Sequence, residues 1–307
     1  MQQSGKSAVA FAVMAGLLWA PHFRIVEGLR AGPAGVSPLI IQLYLVFWAA
    51  AALLVFLVLS GRLGELSAFH SRETHFLILA ALGGYGCWML QAVALESATA
   101  SSPRLLFYAA PLLIGLFSVF SREQADRRSV MGLLLGFAGC IMLTKGFEGA
   151  HLWSGGLPAV GAAACWALFS LGVRPIVREE RALPVAALVL LIGTACLLVT
   201  CIARGDNPFH INLSQLFATV FAGFFTVALV VVFWLKCLQA ASASTVAPFW
   251  YLGLLFGALG RALIIGGLWS GFFWLLGGTV LVLLGIGNSL AHRDRKSMSI
   301  SDVLRGT

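Results

Sequence analysis

Ten apolar runs, separated by short polar connectors, take up nearly the whole chain. They fall at about 7–29, 38–60, 75–96, 102–121, 129–146, 153–176, 184–203, 214–238, 244–266 and 270–291. Each is close to the ~20 residues that an α-helix needs to cross the hydrocarbon core of a bilayer. The pattern predicts an all-α integral membrane protein with ten transmembrane helices, spans 1 to 10. Typical connectors are Gly61-Arg62-Leu63-Gly64-Glu65 and the charged stretch from Ser121 to Arg128. The first run follows Lys6 and has no small-x-small cleavage site before Pro21, so it reads as span 1 and not as a leader. The stretch from His292 is expected to be a loose, basic cytoplasmic tail, residues 292–307.

Composition agrees with the pattern. Of 307 residues, 60% are hydrophobic and 10% charged, against about 25% charged in soluble domains. Mean hydropathy is +0.94. The lipid bilayer is therefore the expected solvent. The net charge of +8 does not point to nucleic acid, because the basic residues lie in short loops between apolar runs. Ten spans put both termini on one face, and fourteen of the twenty Lys and Arg residues fall on that face. Positive charge favours the cytoplasmic side, which predicts a multi-pass protein of the cell inner membrane with both termini cytoplasmic. The six cysteines all lie inside apolar runs without CxxC or zinc spacing, so no metal and no cofactor are expected.

The two halves of the chain echo each other. Gly16-Leu17-Leu18-Trp19-Ala20 in span 1 matches Ala163-Ala164-Cys165-Trp166-Ala167 in span 6. The segment from Leu95 to Tyr108 matches that from Leu238 to Tyr251, and Gly132 and Gly139 match Gly278 and Gly285. The three offsets, 147, 143 and 146, agree to within small insertions. Five spans per copy is an odd number, so the second copy enters the membrane from the opposite side. The expected organisation is two inverted five-helix repeats, residues 1–149 and 150–291. Secondary transporters are commonly built this way, with the site at the repeat interface.

These residues resemble the EamA-type transporters of the drug/metabolite transporter superfamily. The resemblance rests on Gly16, Trp19 and Ala20 with their copy at Trp166-Ala167. It also rests on Ala94, Leu95, Ala98 and Ser101 at the entry to span 4, on Tyr108-Ala109-Ala110-Pro111, and on the glycine-spaced spans 5 and 10. The family's Gly-Glu step after spans 4 and 9 is replaced here by Ser121-Arg122-Glu123 and Gly266-Gly267-Leu268, which marks a divergent member. The resemblance implies a transporter of amino acids, their derivatives, nucleotide-like metabolites or cationic drugs, mostly exported.

Enzyme signatures do not compete with this reading. The chain has no phosphate-binding Gly-x-x-x-x-Gly-Lys-(Ser/Thr) loop, no HExxH and no GxSxG. Transport is therefore expected to run on an ion or substrate gradient. Charges inside spans cost about 2.5–3.5 kcal/mol each on insertion scales, so they are functional candidates. Arg24, Arg104 and Arg261 are such charges, and snorkelling toward the interface is the bland alternative. Arg24 and Arg104 are expected to meet a carboxylate or phosphate, with Glu27 or Glu96 as counter-ion or proton carrier. A second set shares helical faces by three- and four-residue spacing. It comprises Trp19 and His22, the stripe Tyr85, Trp88 and Gln91, and then Tyr108, Trp166 and Tyr251. These are candidates to line the cavity, helix packing being the alternative. Glycines at four-residue spacing, Gly132 with Gly136 and Gly253 with Gly257, read as internal packing or as a homodimer seam.

The expected function is a secondary transporter, an exporter of a small amino-acid-like or carboxylate-bearing metabolite such as an opine-like metal chelator. It would work by alternating access between the repeats. The alternatives are import of a small or nucleotide-like compound, an intramembrane enzyme, and a non-transporting membrane partner.

Overall fold

In the computed structural model the described residues are 2–32, 35–67, 69, 71–97, 101–118, 127–144, 155–177, 181–265 and 272–304. No strand occurs among them. The expected repeat boundary at 149/150 and most of the connector from Ser121 lie outside the described residues.

Eight helical stretches are long and apolar enough to cross a membrane. They are Ser7–Ala31, Pro38–Leu59, Glu73–Glu96, Gly156–Val177, Ala182–Arg204, Leu213–Ala240, Ala243–Leu263 and Phe272–Leu290, which are spans 1, 2, 3, 6, 7, 8, 9 and 10. The shorter Pro103–Ser118 and Arg127–Leu143 are spans 4 and 5, completing ten among the described residues. The helix of span 10 continues to Leu304. The stretch from His292 is thus helical to that point and not the loose tail expected, since no Gly or Pro interrupts it before Gly306.

The polar connectors set the helix ends. Ser37 caps span 2 through its hydroxyl and the Leu39 N–H, with Pro38 in the first turn where its missing N–H costs nothing. Asn212 and Gln215 form a reciprocal capping box at span 8. Spans 2 and 7 end alike. Gly61 and Gly205 take φ of 69° and 74°. The next N–H groups, of Arg62 and Asp206, reach back to Leu57 O and Cys201 O at 2.9 and 3.0 Å. Only glycine adopts this backbone cheaply. The shared cap, 144 residues apart, is a further trace of the repeat.

The halves interdigitate. The main helix pairings are 5 with 10, 3 with 6, 4 with 6, 1 with 8, 2 with 7, 2 with 8, 3 with 7 and 1 with 9. Each joins a helix of residues 1–149 to one of residues 150–291. Spans 5 and 10 cross closely through glycine. A Cβ on Gly132 would lie 2.5 Å from the Gly285 carbonyl oxygen, and one on Gly139 would lie 2.7 Å from that of Gly278. Small residues let membrane helices approach in this way. Spans 3 and 7 are parallel and tied at both ends, by Glu73–Arg181 at 3.1 Å and Glu96–Arg204 at 2.9 Å.

Candidate functional site at the repeat interface

Four spans lose regular helical form near the same place. Span 1 breaks at Ala20 and Pro21, after Trp19. Span 4 breaks at Tyr108 and Ala109, before Pro111. Span 9 tightens to a 3₁₀ turn over Ala247–Tyr251, around Pro248. Each proline removes one backbone donor and frees a carbonyl. Span 8 widens to a π turn over Gly223–Ala228. Gly223 sits there against the Leu45 carbonyl, where a Cβ would fall 2.6 Å from the oxygen. Non-helical backbone within a membrane is tolerated where protein buries it.

An aromatic cluster fills the space between these breaks. Ring centroids of Trp19 and Trp166 lie 6.5 Å apart, Trp166 and Trp250 4.7 Å, Trp19 and Trp250 5.4 Å, and Trp234 and Trp250 5.1 Å. Phe107 lies 5.8 Å from Trp19. Trp19 and Trp166 are repeat equivalents, as are Phe107 and Trp250. The inverted symmetry therefore brings both copies of each motif to one point. All five rings are buried.

The cluster holds polar atoms without partners. They include Nε1 of Trp19, Trp166 and Trp250, Nε2 of His22, and Oε1 of Gln91. A buried polar atom without a hydrogen bond costs about 1–3 kcal/mol. Several at one point in a membrane interior make a polar patch in an otherwise apolar box, and so a candidate binding surface. His22 stacks on Trp19 at 4.0 Å and meets Thr226 of the π turn through Nδ1 at 3.2 Å. Gln91 lies beside the imidazole. Trp234 is satisfied, donating to Ser170 Oγ at 3.0 Å.

Thus Trp19, His22, Gln91, Tyr108 and Trp166 come together at the centre. The other candidates have different neighbours. Tyr85 shares a 2.7 Å hydrogen bond with Thr200 of span 7. Trp88 packs on Gly193 of the same span, where a Cβ would lie 2.8 Å from its ring. Tyr251 donates to Leu133 O at 3.0 Å and fills the gap left by Gly136 of span 5. Farther along span 1, Glu27 pairs with Arg104 of span 4 at 2.5 Å, and Arg24 Nη1 is 4.0 Å from Glu27. The Arg104 guanidinium lies 5.9 Å over the Phe23 ring, and Phe23 touches Trp19. The ion pair therefore borders the aromatic cluster. The Arg24 side chain is 49% exposed and turns outward. Glu96 accepts from Arg204 and Ser37 in the end tie of spans 3 and 7.

Trp234, Phe107 and Thr226 were not among the candidates. The repeat offset of 143 points to two of them, since it maps Gln91 to Trp234 and Phe107 to Trp250. Thr226 has no such signal, because its position depends on the π turn. Among the described residues, no group of three or more His, Cys, Asp or Glu could hold a metal ion.

The model of the EamA-like transporter family matches residues 6–145 and again 153–289. The chain belongs to the EamA-like transporter family. Like other EamA-like proteins, it is a multi-pass membrane protein of a transporter family, in the drug/metabolite transporter class. It is 22% identical over 212 residues to "Uncharacterized transporter YyaM" of Bacillus subtilis, covering 66% of this chain and 69% of that protein. It is 24% identical over 249 residues to an "Uncharacterized transporter" of Archaeoglobus fulgidus, covering 79% and 84%. A solved crystal structure superposes with a TM-score of 0.76 at 21% identity, over 92% of this EamA-like chain and 97% of the other. That likeness is one of fold.

Proposed function

We propose that this EamA-like protein exports a small amino-acid-like or carboxylate-bearing metabolite across the cell inner membrane by alternating access. The observation that carries the reading is the central cluster, where four irregular spans meet and indole, imidazole and amide atoms lie together without hydrogen-bond partners. A metabolite with polar ends and an apolar body matches such a surface. The near face, bearing both termini, is assigned to the cytoplasm from the loop charges.

The anionic end of the metabolite is assigned to Arg104, helped by Arg24. A carboxylate reaching Arg104 competes with Glu27 for the same guanidinium, which suits an exchange of ion pairs as the site opens. Because the halves interdigitate, the repeats are proposed to act through two packed groups that each draw on both halves. Spans 3, 4, 6 and 7 form one group, and spans 1, 2, 8 and 9 form its inverted copy. They meet along spans 2 and 7, with spans 5 and 10 alongside.

The test is comparative metabolite profiling of cytoplasm and medium in cells lacking and cells overproducing the protein. One carboxylate-bearing compound should accumulate inside the deletion strain and disappear from its medium. The opposite distribution would establish import. No shift in any compound would refute transport of a cellular metabolite.

A further inference from the structure

We propose that His22 is the site where this transporter binds the proton that couples it to the membrane gradient. The inference rests on the transport reading and adds the coupling ion to it. It follows from an accounting of hydrogens around one buried ring.

Thr226 has a single hydroxyl proton, which we place on the Ala222 carbonyl 2.9 Å away. With the proton so placed, the same oxygen, 3.2 Å from His22 Nδ1, accepts from the ring. Nδ1 therefore carries the hydrogen of the neutral imidazole, and Nε2 presents a lone pair. Gln91 donates from Nε2 to Cys87 Sγ at 3.2 Å, which leaves Oε1 as its other polar atom. Both His22 Nε2 and Gln91 Oε1 lack a partner, and the two side chains adjoin. In this arrangement two acceptors on adjoining side chains have no hydrogen to share. One proton on Nε2 satisfies both, giving an imidazolium that donates to Thr226 from Nδ1 and to Gln91 from Nε2.

The face of the ring is served as well. Trp19 stacks on it at 4.0 Å with an interplanar angle of 14°, and indole is the side chain best able to stabilise a cation at its face. The charged and titratable groups on the surrounding elements do not substitute for this cradle. Glu27 lies more than a turn farther along span 1 and is taken up by Arg104 of span 4, and Arg24, two residues from His22, turns outward. Cys87 of span 3 and Tyr108 of span 4 carry no charge to offer it. The cradle is built across three spans, from span 3 through Gln91, from span 8 through Thr226 and from span 1 through Trp19. Movement of span 3 against spans 1 and 8 breaks it. Proton binding is thereby tied to the conformation of the repeat interface, as coupling requires.

The test uses the full-length protein in nanodiscs, labelled with nitrogen-15 at histidine and free of any transported compound. The His22 ring signals are those missing from the His22→Gln variant. The expected result is a single hydrogen on Nδ1 at about pH 9 and hydrogens on both nitrogens before about pH 4, a span that brackets ordinary histidine titration. Gln91→Leu should abolish the second N–H signal over the same range. A neutral ring with its hydrogen on Nε2 would overturn the proposal. So would a ring that stays singly protonated throughout and whose signals move only when methylammonium is added, which marks an amine subsite. Because no metabolite is present, failure here leaves the export reading standing, and failure of export leaves this result unaffected.

Discussion

The crossing of spans 5 and 10 and the meeting of spans 1, 4, 6, 8 and 9 are both products of the inverted repeat. In the first, the helices stay regular, and glycines bring Gly132 against Gly285 and Gly139 against Gly278. In the second, helices break, and indole, imidazole and amide atoms are left without partners beside large aromatic rings. A structural seam makes its backbone regular and meets its hydrogen-bonding needs internally. A binding centre does neither. The same symmetry has thus produced a regular, glycine-packed joint at one place and the proposed recognition surface at another.

The largest effect is expected from filling the seam. Gly132→Leu or Gly285→Leu drives side-chain atoms into the opposing backbone, an overpacking that costs about 1–3 kcal/mol or more. Solubilised protein should lose its monodisperse peak in size-exclusion chromatography. Gly172→Ala, with nothing within 4 Å of the added carbon, should elute as wild type. A centre variant should behave in the opposite way. Trp166→Phe keeps an aromatic ring but removes an unpartnered donor, so membrane levels should hold while export falls by roughly tenfold, the value of one buried hydrogen bond. Equal losses of protein amount and export in both variants would erase the distinction.

A smaller contrast lies at the border of the centre. Arg104→Gln leaves the partly buried Glu27 without its close partner, whereas Arg24→Gln removes a group that is mostly turned outward. Export assays should show the first variant strongly impaired and the second measurably but more weakly so. The smallest effect is expected at the end ties. Arg181→Gln and Arg204→Gln remove half-exposed ion pairs worth about 0–1 kcal/mol each, so thermal unfolding should barely move.

Span number and the repeat could be read from the sequence because a membrane allows few solutions. Twenty apolar residues make a helix there, and Trp19 with Trp166 or Gly132 with Gly278 preserve the duplication. Trp19 and Trp166 could be placed at one site because inverted copies meet on the pseudo-twofold axis. Side-chain direction was harder to read. Tyr85, Trp88 and Gln91 share a helical face by spacing, yet that face straddles two neighbours, so Tyr85 and Trp88 go to span 7 and Gln91 to His22. Tyr251 follows Gly136 of span 5, a gap that no pattern within span 9 discloses. The π turn that aims Thr226 at His22 depends on Gly223 meeting the Leu45 carbonyl, a contact between distant residues. The interleaving of the two halves is likewise a matter of packing, and periodicity carries no record of it.

The central claim is that the aromatic cluster at the repeat interface is where the metabolite binds. The most direct measurement compares the ratio of medium to cytoplasmic metabolite in cells producing equal amounts of wild type, Trp166→Phe and Trp274→Phe. The compound followed is the one whose distribution shifts between deletion and overproducing strains. Trp274 lies on span 10, away from the cluster and half-exposed. The account predicts that Trp166→Phe loses most of the export and Trp274→Phe keeps it. Wild-type export by Trp166→Phe, or equal loss in both variants, would contradict it.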